Sequence, residues 1–191
     1  MSAWRHLPNI LSILRMLLAI PVAVLLSRGQ YVLTFVVFGF AAFTDALDGA
    51  LAKHFGWTSE LGKMLDPLGD KLLLMTVFIT LTVLGHVPPW LTLTAVGRDV
   101  LITSGAIVYR VWLGPIHGSR PTTVSKVNTL SQITYLLAVI EVAALGRLPS
   151  PVVISLGALV FLTTVISGLD YVLTYSRRAQ QVYRARQSLS H

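Results

Sequence analysis

Two pairs of aspartates, set in an otherwise apolar stretch, are the residues of this sequence best suited to chemistry. Asp45 and Asp48 are spaced i, i+3, and Asp66 and Asp70 are spaced i, i+4. Each pair therefore shares one face of a helix. Four carboxylates held close together repel one another unless cations lie between them. Because all the donor atoms are oxygens, the pattern favours a hard divalent cation, Mg²⁺ or Mn²⁺.

Two less specific explanations compete with a metal site. Either pair alone could be a solvated helix end. All four acids could also form the ion path of a small cation transporter. Carboxylates beside membrane-length apolar runs are costly, which favours a functional role over a solvated helix end. Transport needs polar residues across the full bilayer, whereas these acids cluster near one face.

The elements that must position the acids follow from the composition. The chain has 191 residues, of which 54% are hydrophobic and 12% charged, with a mean hydropathy of +0.71. These values exclude an ordinary soluble domain and leave room for about six membrane helices of roughly 20 residues each. We predict an all-α integral membrane protein with a single domain over residues 1–191. Its helices are predicted at 7–26, 31–54, 60–84, 90–112, 124–145 and 151–175, followed by a basic tail at 176–191.

The distribution of basic residues predicts how the helices cross the membrane. Consecutive helices joined by a short turn are antiparallel, so both acid pairs come to a similar depth on one side. With six helices, that side carries ten Lys and Arg near or beyond the helix ends and the opposite side carries two, Arg28 and Arg147. The positive-inside rule then places both termini and the acids in the cytoplasm. The tail either extends the last helix or lies on anionic headgroups, and we expect no nucleic acid partner.

The acid pairs belong to a longer pattern, which runs Asp45-x-x-Asp48-Gly49-x-x-Ala52-Lys53, then eight residues, then Gly62-x-x-x-Asp66-x-x-x-Asp70. This pattern resembles the signature of the CDP-alcohol phosphatidyltransferase family. The family usually has Arg where this chain has Lys53, which keeps the charge but not the bidentate fork. The resemblance implies a homodimer of six-helix chains in a bacterial-type or mitochondrial inner membrane.

The resemblance also implies a reaction and a role for each residue. A phosphatidyl group passes from CDP-diacylglycerol to a hydroxyl acceptor, and CMP leaves. Two Mg²⁺ or Mn²⁺ ions are held by the four aspartates, and Asp70 also acts as general base on the acceptor hydroxyl. The cytidine diphosphate lies against Asp45, Gly49, Lys53 and Gly62. Aromatic prenyltransferases of membranes share the metal chemistry but need more helices and lack these glycine elements.

The acceptor is suggested by two short stretches. Residues 97–100 and 121–129 look most like those of the CMP-forming cardiolipin synthases, which implies phosphatidylglycerol as acceptor. The phosphatidylglycerophosphate synthases, which use glycerol 3-phosphate, typically have Arg-Glu in place of Arg98-Asp99. They also have Gly-Lys-x-Lys-Thr in place of residues 125–129. Glycerol 3-phosphate therefore stays open as the alternative acceptor.

Several basic residues are candidates for binding the acceptor or a phosphate. Arg15 either snorkels to the interface or faces the site. Arg98 and Asp99 are adjacent, about 100° apart on a helix, so we expect each to find other partners. That pair either holds helices together or lets Arg98 reach an anionic substrate. The remaining candidates flank or lie in the longest loop: Arg110, Arg120 and Lys126.

Overall fold

The chain forms six α-helices in a computed structural model. They are α1 (Leu7–Ser27), α2 (Tyr31–Phe55), α3 (Gly62–Val83), α4 (Pro89–Leu113), α5 (Thr123–Leu145) and α6 (Ser150–Ser188). The structure describes the backbone of residues 7–55, 62–113 and 123–188, and the side chains of residues 13–44, 71–105 and 123–173. No strand occurs in these backbone ranges, so the all-α prediction is confirmed there.

The helix ends follow the apolar runs closely, with one difference at the C-terminus. The first five helices begin and end within two residues of the predicted positions. The sixth continues to Ser188 instead of ending near residue 175. Of the two possibilities for the basic tail, the backbone therefore takes the helical extension through most of it.

Three described turns, at residues 28–30, 84–88 and 146–149, lie at one end of the helices, which we call the turn end. A glycine with positive φ, at 71°, 79° and 62°, follows α1, α3 and α5. Glycine takes this left-handed conformation without a Cβ clash and so ends a helix cleanly. Tyr31 Oη and His86 Nε2 are 3.0 Å apart, which joins the first two turns. Glu141 Oε2 accepts the backbone N–H of Leu148 at 3.1 Å and closes the third.

The helices pack around a common apolar core. α1 packs against α2 and α3, and α5 packs against α2, α3 and α6. α4 contacts both α3 and α6. The core-facing residues recur every three or four positions, as in Leu74, Val77, Phe78 and Leu81 of α3. This spacing fixes the face that each helix turns inward, and with it the direction of the polar residues that share that face.

The outer surface of the bundle is also apolar. Large hydrophobic side chains are exposed on every helix, among them Ile20 at 69%, Phe40 at 66% and Leu93 at 76%. Soluble monomers rarely expose so much contiguous apolar surface. By length and composition, two helical segments among the described residues can cross a membrane, Thr123–Leu145 and Ser150–Leu173. Three apolar segments are shorter: Ile13–Ser27, Tyr31–Thr44 and Lys71–Val83.

Candidate active site

Both acid pairs lie on helical backbone. α2 runs through Asp45 and Asp48, and α3 runs through Asp66 and Asp70. The helical spacing gives each pair a common face, and oxygen donors of this kind suit Mg²⁺ or Mn²⁺. The aspartate side chains lie outside the described residues, as do Lys53, Arg110 and Arg120 and the surroundings of Gly49 and Gly62. Among the described side chains no group of three or more His, Asp or Glu could hold a metal ion.

A cluster of charged side chains begins at the residue after Asp70. Lys71 Nζ donates to Thr103 Oγ1 of α4 at 2.9 Å. The same nitrogen lies 3.9 Å from Asp99 Oδ1, also on α4. Arg98 Nη1 donates to this Oδ1 at 2.5 Å. Asp99 is therefore shared by two cations, one from α3 and one from its own helix.

Arg98 extends the cluster to two further helices. Its Nη2 donates to Ser125 Oγ of α5 at 3.0 Å and also to Ser167 Oγ of α6. We call Lys71, Arg98 and Asp99, with these hydroxyl partners, the buried charge cluster. Arg98 and Asp99 each find partners on other helices, as expected, but they also pair with each other. The arginine side chain is long enough to reach back to its neighbour and still contact two other helices.

Burial makes the charge balance of this cluster important. The side chains of Arg98 and Asp99 are only 6% and 7% exposed, and that of Lys71 is 24% exposed. Two cations and one carboxylate leave a surplus positive charge in a region from which water is largely excluded. Buried charges of this kind need close partners. The cluster therefore suits the neighbourhood of anionic groups.

Arg15 lies inside the bundle, with only 5% of its surface exposed. This burial excludes the snorkelling alternative for its side chain. The Tyr31–His86 contact places the ends of α1 and α3 together, and Arg15 lies as far before the end of α1 as Lys71 does before the end of α3. Arg15 therefore lies at about the level of Lys71, the residue after Asp70.

Of the three candidate cations in or beside the longest loop, Lys126 is the one whose side chain the structure describes. It is exposed near the start of α5, one residue after Ser125. Its position is open to an anionic group at the acid-pair end, by which we mean the end of the bundle where α3 and α5 begin. Whether it binds phosphate stays a prediction.

A row of buried polar residues continues from the charge cluster between α5 and α6. Asn128 Oδ1 accepts from Thr163 Oγ1 at 2.9 Å and from Thr164 Oγ1 at 2.8 Å. Farther along, the Cα of Gly157 approaches Tyr135 so closely that a Cβ there would lie 3.3 Å from its ring. Contacts closer to the C-terminus of α5 involve residues closer to the N-terminus of α6, so the two helices are antiparallel. This polar row fixes their register at the acid-pair end.

The sequence predicted a role for Arg98 but not for Lys71, nor for Ser167, which accepts a hydrogen bond from Arg98. It also did not predict a role for Thr163 and Thr164, which donate to Asn128. A signal was present, because Thr163, Thr164 and Ser167 are spaced i, i+1 and i+4 within an apolar helix, so that Ser167 lies on the face of both threonines. Polar residues on one face of a membrane helix point to the bundle interior.

Comparison with known proteins gives evidence of the family to which the chain belongs. A sequence profile of the CDP-alcohol phosphatidyltransferases matches residues 5–176, a range that contains both acid pairs and the buried charge cluster. The chain is 29% identical to the human cardiolipin synthase (CMP-forming) over 193 residues, which cover 93% of this chain and 64% of that protein. The chain thus spans less than two thirds of the length of this relative.

Two bacterial relatives carry different names. The chain is 30% identical to a probable phosphatidylglycerophosphate synthase of Mycobacterium tuberculosis, over 87% of this chain and 80% of that protein. It is 37% identical to a CDP-diacylglycerol–glycerol-3-phosphate 3-phosphatidyltransferase of Pseudomonas fluorescens, over 61% of this chain and 60% of that protein. The similar proteins therefore include both acceptor classes.

Proposed function

Because the chain belongs to the CDP-alcohol phosphatidyltransferase family, we propose that it transfers a phosphatidyl group from CDP-diacylglycerol to a hydroxyl acceptor. The observation that carries the proposal is the family match over residues 5–176, which includes both aspartate pairs. The proposed acceptor is phosphatidylglycerol, as the name of the human relative and the two acceptor-linked stretches suggest. Glycerol 3-phosphate is the second candidate, favoured by the names of the bacterial relatives.

The proposed reaction is a single displacement at phosphorus. The acceptor hydroxyl oxygen attacks the phosphorus on the lipid side of the diphosphate and forms a new P–O bond. The bond from that phosphorus to the CMP oxygen breaks, and CMP carries away the bonding electrons. Asp70 accepts the hydroxyl proton as the new bond forms. Gly49 and Gly62 leave room for the nucleotide beside the backbone, and Lys53 faces its phosphates.

Asp45, Asp48, Asp66 and Asp70 would hold two Mg²⁺ or Mn²⁺ ions, which would neutralise the diphosphate and stabilise the departing phosphate. The helical spacing and the oxygen donors of these residues fit such ions. Arg15, buried at about the level of Lys71, is proposed to face the lipid diphosphate. Arg98, Arg110, Arg120 and Lys126 are proposed to attract the anionic acceptor.

We propose that all six helices cross the membrane. The exposed apolar side chains on every helix support this arrangement. Both termini and the acid-pair end would face the cytoplasm or its mitochondrial equivalent, because the basic residues concentrate there. The protein would lie in a bacterial-type or mitochondrial inner membrane as a homodimer.

The described charges favour this function over cation transport. Arg15, Arg98 and Asp99 are buried and charged, and Arg98, the nearest of the three to the turn end, lies nine residues after the first residue of α4. Toward the turn end, the described core residues between the helices are chiefly apolar, among them Leu26 and Leu81. A transport path needs polar groups through the whole thickness of the membrane, whereas a transferase needs them at one face.

The test is CMP release by the purified protein in detergent with CDP-diacylglycerol and Mg²⁺ or Mn²⁺. Phosphatidylglycerol and glycerol 3-phosphate are supplied in separate reactions. We expect CMP release with phosphatidylglycerol. CMP release with glycerol 3-phosphate alone would show that glycerol 3-phosphate, and not phosphatidylglycerol, is the acceptor. The proposed class of reaction would still hold. No CMP release with either acceptor, or with inositol or serine, would contradict the proposal.

A further inference from the structure

α3 is fastened to α4 at Lys71, the residue that follows Asp70 and the tenth of the helix. Lys71 Nζ contacts two groups of α4, Thr103 Oγ1 at 2.9 Å and Asp99 Oδ1 at 3.9 Å. Among the residues of α3 whose side chains the structure describes, Lys71 is the nearest to the second acid pair. Its contacts anchor α3 to α4 one residue after Asp70.

The anchor reaches three other helices through one carboxylate. Asp99 receives Lys71 from α3 and Arg98 from α4, and Arg98 donates to Ser125 of α5 and Ser167 of α6. Gly168 lies beside Arg98, where a Cβ would stand 3.9 Å from Cγ of the arginine. The guanidinium is thus held on several sides, so Asp99 has a fixed position. A fixed carboxylate in turn fixes Lys71.

Removing the Asp99 carboxylate would replace an attraction between Lys71 and Asp99 with a repulsion between Lys71 and Arg98. Lys71 and Arg98 would then face each other as two poorly solvated cations, and like charges at this distance repel. α3 is the element free to respond, because Arg98 keeps its contacts with α5 and α6. Rotation by one residue turns a helix by about 100° and a slip of one residue moves it about 1.5 Å. Catalytic groups tolerate displacements of only about 0.5 Å.

We propose that Asp99 and Lys71 are positioning residues that set the rotation and depth of α3 at Asp70. Through the helix backbone they orient the second acid pair toward the metal ions and the acceptor hydroxyl. This inference rests on the proposed function, since it assigns Asp70 to the reaction. Neither Asp99 nor Lys71 is proposed to touch the reacting atoms.

The experiment compares Asp99→Asn, Lys71→Met, Lys71→Arg and the Asp99→Asn/Lys71→Met double variant with the wild type. Three quantities are measured in detergent: kcat and KM for CMP release, the affinity for Mn²⁺ alone by electron paramagnetic resonance, and the unfolding temperature. The matched control is Thr163→Val, which removes a buried hydroxyl contact between α5 and α6 and leaves α3 untouched.

We expect the asparagine and methionine variants to lose about 10–100-fold in kcat and in Mn²⁺ affinity, with KM for CDP-diacylglycerol within about threefold. Lys71→Arg, which keeps the positive charge, is expected to keep most of the wild-type kcat and Mn²⁺ affinity. The double variant is no worse than the poorer single variant, because both changes break one contact. Thr163→Val lowers the unfolding temperature but keeps kcat and Mn²⁺ affinity.

Unchanged kcat and Mn²⁺ affinity in folded Asp99→Asn would overturn the positioning role, as would losses that add in the double variant. If Asp99→Asn does not fold, the Lys71→Met and Lys71→Arg pair decides by the same criteria. If the wild type releases no CMP but binds Mn²⁺, the proposed function fails, and Mn²⁺ affinity in the variants still decides the positioning role. A wild type that neither releases CMP nor binds Mn²⁺ overturns both proposals.

Discussion

A carboxylate that accepts the proton of an attacking hydroxyl contributes about 10²–10⁴-fold to a rate. Asp70 is the residue proposed for this step, and asparagine has the same shape but cannot take up the proton. We expect Asp70→Asn to lower kcat for CMP release by about 10³-fold, within the range for lost general-base catalysis. Binding of CDP-diacylglycerol, measured directly by titration, should weaken by only a few-fold because three aspartates remain.

The control for Asp70→Asn is Glu141→Gln. Glu141 lies at the turn end and accepts the backbone N–H of Leu148 through Oε2, a bond that the glutamine oxygen can also make. This variant makes the same kind of chemical change far from the acids and should keep wild-type turnover. Wild-type turnover in Asp70→Asn would remove Asp70 as the base.

Lys53 is the position where this chain departs from the family pattern. A lysine ammonium makes a point contact with phosphate, whereas an arginine guanidinium can make two parallel hydrogen bonds. We expect Lys53→Arg to lower KM for CDP-diacylglycerol by a few-fold, and Lys53→Met to raise it by about tenfold, the effect of losing one charge-assisted hydrogen bond. Steady-state measurements of CMP release give KM for both variants. Equal KM values in the two variants would mean that Lys53 does not contact the substrate.

At the scale of elements, close packing between α4 and α6 explains one glycine. A Cβ at Gly105 would lie 2.9 Å from Tyr171 Oη, which donates to the backbone carbonyl of Ile102 at 2.9 Å. Gly97, on the same helix, has open space around the corresponding position. The two glycines therefore form a matched pair that separates packing from helix propensity.

Alanine at either glycine gains the same helix propensity, so the difference between the two variants isolates the tyrosine contact. We expect Gly105→Ala to be about 1 kcal/mol less stable than Gly97→Ala, the value of one hydrogen bond. Unfolding temperatures in one detergent measure the difference. Equal temperatures would show that Tyr171 moves aside without cost.

At the scale of the whole molecule, the proposed orientation can be tested because the chain contains no cysteine. Arg28 and Arg147 are exposed at the turn end, which we propose to face away from the cytoplasm. We expect Arg28→Cys and Arg147→Cys to react with a membrane-impermeant maleimide in intact bacterial cells. Ser190→Cys should react only after the cells are permeabilised. The reverse pattern would invert the proposed topology.

Within the bundle, the two acceptor-linked stretches are in direct contact. Arg98 and Ser125 belong to different stretches but are joined by a hydrogen bond of 3.0 Å. A change in one stretch therefore alters the surroundings of the other. Comparisons of acceptor preference should exchange both stretches together, since exchanging one alone leaves Arg98 without its matching partner.

The helices, their order and the family follow from the sequence. Apolar runs predict where the first five helices begin and end to within two residues, whereas α6 continues past its apolar run to Ser188. The spacing of Asp45, Asp48, Asp66 and Asp70 carries the family pattern without any reference to tertiary contacts. The roles of these aspartates and the metal ions stay predictions that rest on that pattern.

Which polar residues meet depends on how the helices pack. The partners of Lys71 and Arg98 come from three other helices, at separations along the chain that no local pattern encodes. The burial of Arg15 likewise depends on how α1 packs within the bundle. Local spacing determines the face of a helix on which a side chain lies. The packing of helices around it determines what that face meets.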